Sequence, residues 1–183
     1  MKNNSSNKIG HVAIIMDGNS RWARHRNLKT IEGHKQGVNR LRDIVKYSAK
    51  SEITHLSVFA FSTENWKRSA SDVSDLMKLF LQSIIKEVPE LIENKVQLNF
   101  IGDIPRFSKS LVSQINSAMK DTQAKKPNLN LNVAISYGGR WDILNAIKRM
   151  KDHKINIDKI NEDDLSNLLS TSNFPDPDLL IRT

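Results

Sequence analysis

The 183-residue chain has no cysteine, which excludes disulfides and thiolate metal sites and makes a reducing compartment such as the cytoplasm the simplest setting. Aromatics are scarce, at two Tyr, three Trp and six Phe, and nowhere do they alternate with basic residues as a single-strand stacking platform requires. No apolar stretch approaches the roughly 20 residues that span a bilayer, and the opening MKNNSSNKIG lacks a hydrophobic signal core. Linkers rich in Gly or Pro and internal repeats are missing too. These absences predict a soluble single domain, in keeping with a domain size of roughly 100 to 200 residues.

What is present is positive charge. A net charge of +8 favours anionic partners: nucleic acid, an anionic membrane surface or phosphorylated small molecules. The sparse aromatics weigh against nucleic acid. A basic nucleic-acid-binding domain stays open as an alternative, and it predicts steeply salt-dependent binding.

Residues 1–8 read as a loose polar tail and 9–183 as the folded domain. HVAIIMD (11–17), HLSVFAFS (55–62), VQLNFIGD (96–103), LNLNVAIS (129–136) and DLLIRT (178–183) are short apolar, β-branched runs that predict strands. Helical spacing predicts helices over 33–51, 73–93, 108–124, 140–151 and 162–170. The apolar stripe of 73–93 is wider than one core face needs. Strands alternating with helices predict an α/β fold, a mostly parallel sheet flanked by helices, with ligands bound outside the carboxyl ends of the strands.

That edge carries unusual chemistry. The first strand ends on Asp17 and runs into Gly18, Asn19, Ser20, Arg21 and Trp22. The amides of Gly18, Asn19 and Ser20 at a strand-to-helix turn can converge on an oxyanion, and Arg21 adds a fork matching phosphate oxygens. The same tripeptide also reads as an ordinary turn. Asp17 beside such a cradle would repel phosphate unless a divalent cation intervenes, and Mg²⁺ takes one or two carboxylates plus substrate phosphates. Arg140, after two glycines in SYGGRWD, is either a helix-opening charge or a site residue. Asp163 and Asp164 read as a solvated helix start, and Asp176 and Asp178 as structural. His11, His25, His55 and His153 sit in no motif.

The set HVAIIMDGNSRWA, EGHKQG, FAFSTENWKRS, SYGGRWDI and PDPDLLIRT, in this order from about residue 9 to the end, resembles the cis-prenyltransferases, specifically the bacterial undecaprenyl diphosphate synthases. The resemblance implies a hydrophobic tunnel beside the sheet, so the wide stripe of 73–93 reads either as a tunnel wall or as a buried core helix. It also implies repeated addition of isopentenyl diphosphate to an allylic diphosphate such as farnesyl diphosphate, with cis double bonds. The product would be a polyprenyl diphosphate lipid carrier for cell-wall (peptidoglycan) synthesis that partitions to the membrane. By the same resemblance the enzyme is a Mg²⁺-dependent cytoplasmic homodimer, peripheral at the inner face of the membrane.

Residue by residue, Asp17 matches the family's metal-holding aspartate, and Trp22 and His34 match positions lining the allylic site. Ser62, Thr63, Glu64, Asn65 and Trp66 match the FSxENW loop, where Asn65 helps remove a proton from the incoming unit. Arg68 and Arg182 match arginines that bind isopentenyl diphosphate. The DDxxD motif of the trans-prenyltransferases is absent.

Three departures stand out: Ser20 for a glycine, Thr30 for an arginine with Lys29 adjacent, and no Gly-Glu-x-Arg-x-Ser segment after Thr183. In the family that segment leads into a second acidic metal ligand and much of the dimer contact. The alternative expectation is therefore a truncated, weakly active or non-catalytic homologue that binds prenyl diphosphates.

Overall fold

The computed structural model describes residues 8–153 and 155–183, so the expected tail lies outside it except for Lys8. Five strands, β1 (His11–Ile15), β2 (His55–Ser62), β3 (Val96–Ile101), β4 (Leu129–Tyr137) and β5 (Leu179–Arg182), form one sheet in the order β3-β4-β2-β1-β5. Every neighbouring pair is parallel. Parallel neighbours need crossovers, and helices supply them: α1 (Asn19–Arg24), α2 (Thr30–Ala49), α3 (Ala70–Glu93), α4 (Lys109–Asp121), α5 (Gly139–Asp152) and α6 (Glu162–Leu168).

The expected elements are present, with corrected ends. β1 stops at Ile15, two residues before Asp17, because Gly18 turns the chain at φ +90° into α1, a six-residue helix too short to show a period in sequence. β3 stops at Ile101 because Gly102 has φ +119°, and a Cβ there would lie 1.9 Å from the Ile135 carbonyl oxygen. α3 begins three residues earlier than its apolar stripe suggests, since the Ser69 hydroxyl accepts the Asp72 N–H at 3.2 Å. Asp164 and Asn161 form a reciprocal capping box at the start of α6. Asp178 is structural as expected: its carboxylate accepts the N–H groups of Gly10 and His11 at 2.8 and 2.9 Å and fastens β5 to β1.

Alternation along parallel, in-register strands gives the sheet two unlike faces. Val12, Ile14, Leu56, Val58, Leu98, Leu131, Val133 and Ile135 are buried on one, beneath α2 and α3. The other face carries a row of polar side chains. Asn99 Nδ2 donates to Asn132 Oδ1 at 3.0 Å, Asn132 Nδ2 to Ser57 Oγ at 3.2 Å, and Ser57 Oγ lies 2.7 Å from His11 Nε2. His11 Nδ1 faces the Pro175 carbonyl at 2.6 Å and so carries the proton, which leaves Nε2 to accept from Ser57. Asn132 and His11 are buried, and the ladder satisfies them.

Candidate active site

Asp17 follows β1 and stands on the carboxyl edge of the sheet. Its Oδ1 lies 3.2 Å from Arg21 Nη2, one helical turn on, and its Oδ2 is 3.0 Å from Arg182 Nη2 on β5. The Gly18 N–H donates to Oδ1 at 2.6 Å, and Asp17 N donates to the Thr183 hydroxyl at 3.1 Å. The Arg182 hydrogen bond foremost, then the Gly18 amide, holds the carboxyl below the usual aspartate range. The cluster is solvent-exposed, so these charges are weakly coupled and available to a ligand.

The expected three-amide cradle is corrected in one respect: the Gly18 N–H is taken by Asp17. The N–H groups of Asn19 and Ser20 remain, both in the first turn of α1, where no intrahelical acceptor exists. Asn19 fixes this turn on α2. A Cβ at Gly33 would lie 2.0 Å from the Asn19 carbonyl oxygen, and one at Gly37 would lie 2.8 Å from its Nδ2. Two glycines four apart on one helix face let α1 sit directly on α2. The G-x-x-x-G spacing in EGHKQG was the available signal for this packing, and the sequence reading used only its histidine.

The FSTENW segment forms a 3₁₀ turn (Thr63–Lys67) after β2. Asn65 N donates to Ser62 Oγ at 3.2 Å, and Ser62 N donates to Asn65 Oδ1 at 2.9 Å. Because that oxygen is engaged, the part of Asn65 left for a ligand is the Nδ2 amine, a donor. Trp66 packs between Phe61 and Phe107, with ring centroids 5.1 and 5.3 Å away, and its Nε1 donates to Ser136 Oγ at 2.9 Å. Ser136, expected from the sequence only as a strand end on the carboxyl edge, is buried and in the left-handed region at φ +47°. Thr63 packs on Gly138, where a Cβ would come within 2.7 Å of its hydroxyl.

His34, on α2, joins the two parts of the edge. Its Nε2 is buried without a hydrogen-bond partner among the described residues. Burial first, then the nearby Arg68 cation, holds its pKa below the ordinary histidine value, with Asp72 opposing. Arg68 and Glu64 are exposed, and Trp22 is covered by Arg26, whose guanidinium carbon sits 4.4 Å from the ring centroid. No side-chain hydrogen bond or ion pair joins Asp17, Arg21 and Arg182 to Ser62–Arg68 among the described residues. Their proximity comes from β1 and β2 being neighbouring strands.

From His34 an apolar groove, partly open to solvent, runs between α2, α3 and the sheet. Val38 and Leu41 of α2, Leu76 and Phe80 of α3, and Leu131 and Val133 of β4 line it. The wide stripe on α3 thus serves both expected ends in part: Leu76, Met77, Leu79 and Phe80 wall the groove, Leu81 and Val88 pack on the core, and Ile85 and Ile92 are exposed. A register shift after Phe59 turns both Ala60 and Phe61 toward this groove. On its outer side, Arg42 of α2 forms a two-pronged ion pair with Glu87 of α3, and Lys46 Nζ lies 2.7 Å from Glu90.

The described residues gather no three His, Asp or Glu side chains that could enclose a cation. A single exposed aspartate beside the free Asn19 and Ser20 amides and two arginines suits Mg²⁺, which keeps several waters and completes its shell with phosphate oxygens. No helix among the described residues is long and apolar enough to cross a membrane.

Comparison with known proteins bears on this geometry. The family described as "Putative undecaprenyl diphosphate synthase" matches residues 15–183. An isoprenyl transferase of Neisseria meningitidis serogroup A is 45% identical over 173 residues, covering 94% of this chain and 68% of the relative. A farnesyl-diphosphate-specific ditrans,polycis-undecaprenyl-diphosphate synthase of Pasteurella multocida is also 45% identical, covering 94% of this chain and 73% of that protein. Among solved structures, lavandulyl diphosphate synthase from Lavandula x intermedia, in complex with dimethylallyl diphosphate, superposes with a TM-score of 0.89 at 34% identity. That match covers 95% of this chain and 77% of that one.

Proposed function

The chain belongs to the undecaprenyl diphosphate synthase family of cis-prenyltransferases, and from that premise we propose that it condenses isopentenyl diphosphate onto farnesyl diphosphate, making a polyprenyl diphosphate. One observation carries the reading beyond family membership: the exposed edge with Arg21 and Arg182 is joined through Asn19 to the α2 turn that holds His34, and His34 lines an apolar groove. A molecule with a diphosphate head and an isoprenoid tail matches both halves.

In the reaction the allylic C1–O bond breaks and diphosphate leaves, a C–C bond forms to the isopentenyl double bond, and a proton is lost from the incoming unit. Charge therefore grows on the leaving diphosphate, and preorganised donors aimed at it lower the barrier. The amides of Asn19 and Ser20 and the Arg21 fork fill that role. Among the described residues Arg21 and Arg182 pair only with Asp17. Both can exchange its carboxylate for phosphate oxygens, leaving Asp17 to hold Mg²⁺. When bound, Mg²⁺ supplies Lewis-acid stabilisation of the departing diphosphate. Arg68, with Arg182, receives the isopentenyl diphosphate. Asn65 serves as a donor: its Nδ2 steadies the phosphate oxygen that takes the proton, while its own oxygen stays with Ser62. The neutral His34 and the groove walls receive the tail and keep water from the reacting carbon.

The same reading places the enzyme in the cytoplasm, working as a homodimer beside the inner membrane face that receives its product. The test is incorporation of radiolabelled isopentenyl diphosphate into butanol-extractable lipid with farnesyl diphosphate and Mg²⁺. Incorporation abolished by EDTA supports the proposal. No incorporation, together with no shift in melting temperature on adding farnesyl diphosphate, overturns it.

A further inference from the structure

The groove is walled unevenly. Its floor, from β2, β3 and β4, and its inner helix faces are apolar, whereas the line where α2 meets α3 on the outside is charged. Arg42 donates from Nε to Glu87 Oε2 at 2.7 Å and from Nη2 to Oε1, a planar two-bond pairing. One turn along, Lys46 pairs with Glu90 at 2.7 Å. The Arg42 and Glu87 side chains keep only 25% and 19% of their exposure, so this pair faces both solvent and groove. These two ion pairs are the only side-chain hydrogen bonds or ion pairs linking α2 to α3 among the described residues. Val38, Leu41 and Val45 of α2 and Leu76, Phe80 and Ile84 of α3 line the groove beside that seam, apolar walls whose contacts a hydrocarbon chain can take up.

We propose that the α2–α3 seam is a side door to the groove, latched by Arg42–Glu87 and Lys46–Glu90, through which a long polyprenyl chain leaves sideways. The inference rests on the prenyltransferase reading and goes beyond it. A chain that fills the groove lengthwise can withdraw past the diphosphate edge, or it can widen the groove's partial opening by parting the seam. Parting the seam breaks two charge pairs in solvent reach, whose partners water can satisfy at once, and bares apolar walls to the chain already lying on them. A short farnesyl tail, held near His34, has no need of the door. Latch strength therefore sets the release of long chains and leaves short ones untouched.

The chain's lack of cysteine makes the test direct, because introduced thiols are unique. Release of a fluorescent long-chain prenyl phosphate and binding of farnesyl thiolodiphosphate are measured for the parent, E87Q, the reversed pair R42E/E87R, and K46C/E90C bridged by a short bismaleimide. E87Q is expected to release the long lipid about tenfold faster, since it removes the charge that Arg42 pairs with. The reversed pair should return the rate toward that of the parent, and the bridge should slow it at least as much. Farnesyl thiolodiphosphate affinity should stay constant throughout. Equal long-lipid release rates in all variants, even with altered melting temperatures, overturn the door and leave the proposed activity standing. A parent chain that binds neither ligand overturns both.

Discussion

The diphosphate edge and the groove lie side by side yet are built on opposite terms. The edge is exposed and charged, and its carboxylate is already paired before any ligand arrives, with Asp17 held by Arg21, Arg182 and the Gly18 amide. The groove is apolar, with unfilled space and, among the described residues, one orphaned polar atom, His34 Nε2, at its near end. A ligand at the edge must displace existing partners, which favours discrimination by charge and geometry. A ligand in the groove displaces water from apolar walls, which scales with length and discriminates poorly between neighbouring chain lengths. Head recognition and tail measurement are thereby separable within one site.

Substitutions at the two regions should accordingly fail in different ways. Asp17→Asn breaks the edge alone: isopentenyl incorporation should fall by about 10²–10³, as when a charge-stabilising group is removed, while the melting temperature barely moves because the residue is exposed. A fall in turnover matched by a large loss of stability would mean that Asp17 is chiefly structural.

Ala60→Leu breaks the groove alone. The first condensation should proceed at near-parental rate while reversed-phase analysis shows shorter products, and stability should shift by less than about 1.5 kcal/mol because there is room for the larger side chain. Products of unchanged length would show that the groove measures nothing at Ala60.

The smallest effect is expected at the junction. The folded-state pKa of His34 lies below its unfolded value near 6.5, so the unfolded chain takes up the proton first as pH falls. Its contribution to stability is complete above about pH 6.5 and is lost on acidification between the unfolded and folded pKa values. Thermal melts should therefore show a smaller drop from pH 7 to pH 5.5 in His34→Leu than in the parent. An equal drop would mean that burial does not disfavour the imidazolium.

The same contrast explains what the sequence made legible. The edge could be read because its parts are contiguous: IIMDGNSRWA, FSTENW and IRT each carry their own turn chemistry, and parallel alternation put their ends on one side. The groove could be read only as an excess of apolar positions on α3, because its emptiness depends on how α2 and α3 stand off the sheet. Arg42–Glu87 was invisible for a like reason: nothing local pairs residues 45 apart. The Gly18 amide escaped because a carboxylate bonding the next N–H competes with the cradle it was expected to complete. Ser136 reads as the last residue of a strand; β4 runs one residue further, and Ser136 takes a left-handed φ within it and accepts the Trp66 indole N–H.

The hydrogen-bonded row Asn99–Asn132–Ser57–His11 has a consequence for assembly of the sheet. A strand that slipped by one residue would move its polar member to the groove side and leave its former neighbours unpaired in the interior. The ladder thus acts as a proofreading key during folding, rejecting near-miss alignments of otherwise interchangeable Val, Ile and Leu runs. Because strand ends can be no more level than their register, fidelity on the face away from the substrate helps to bring the tips of β1, β2 and β4 to one height.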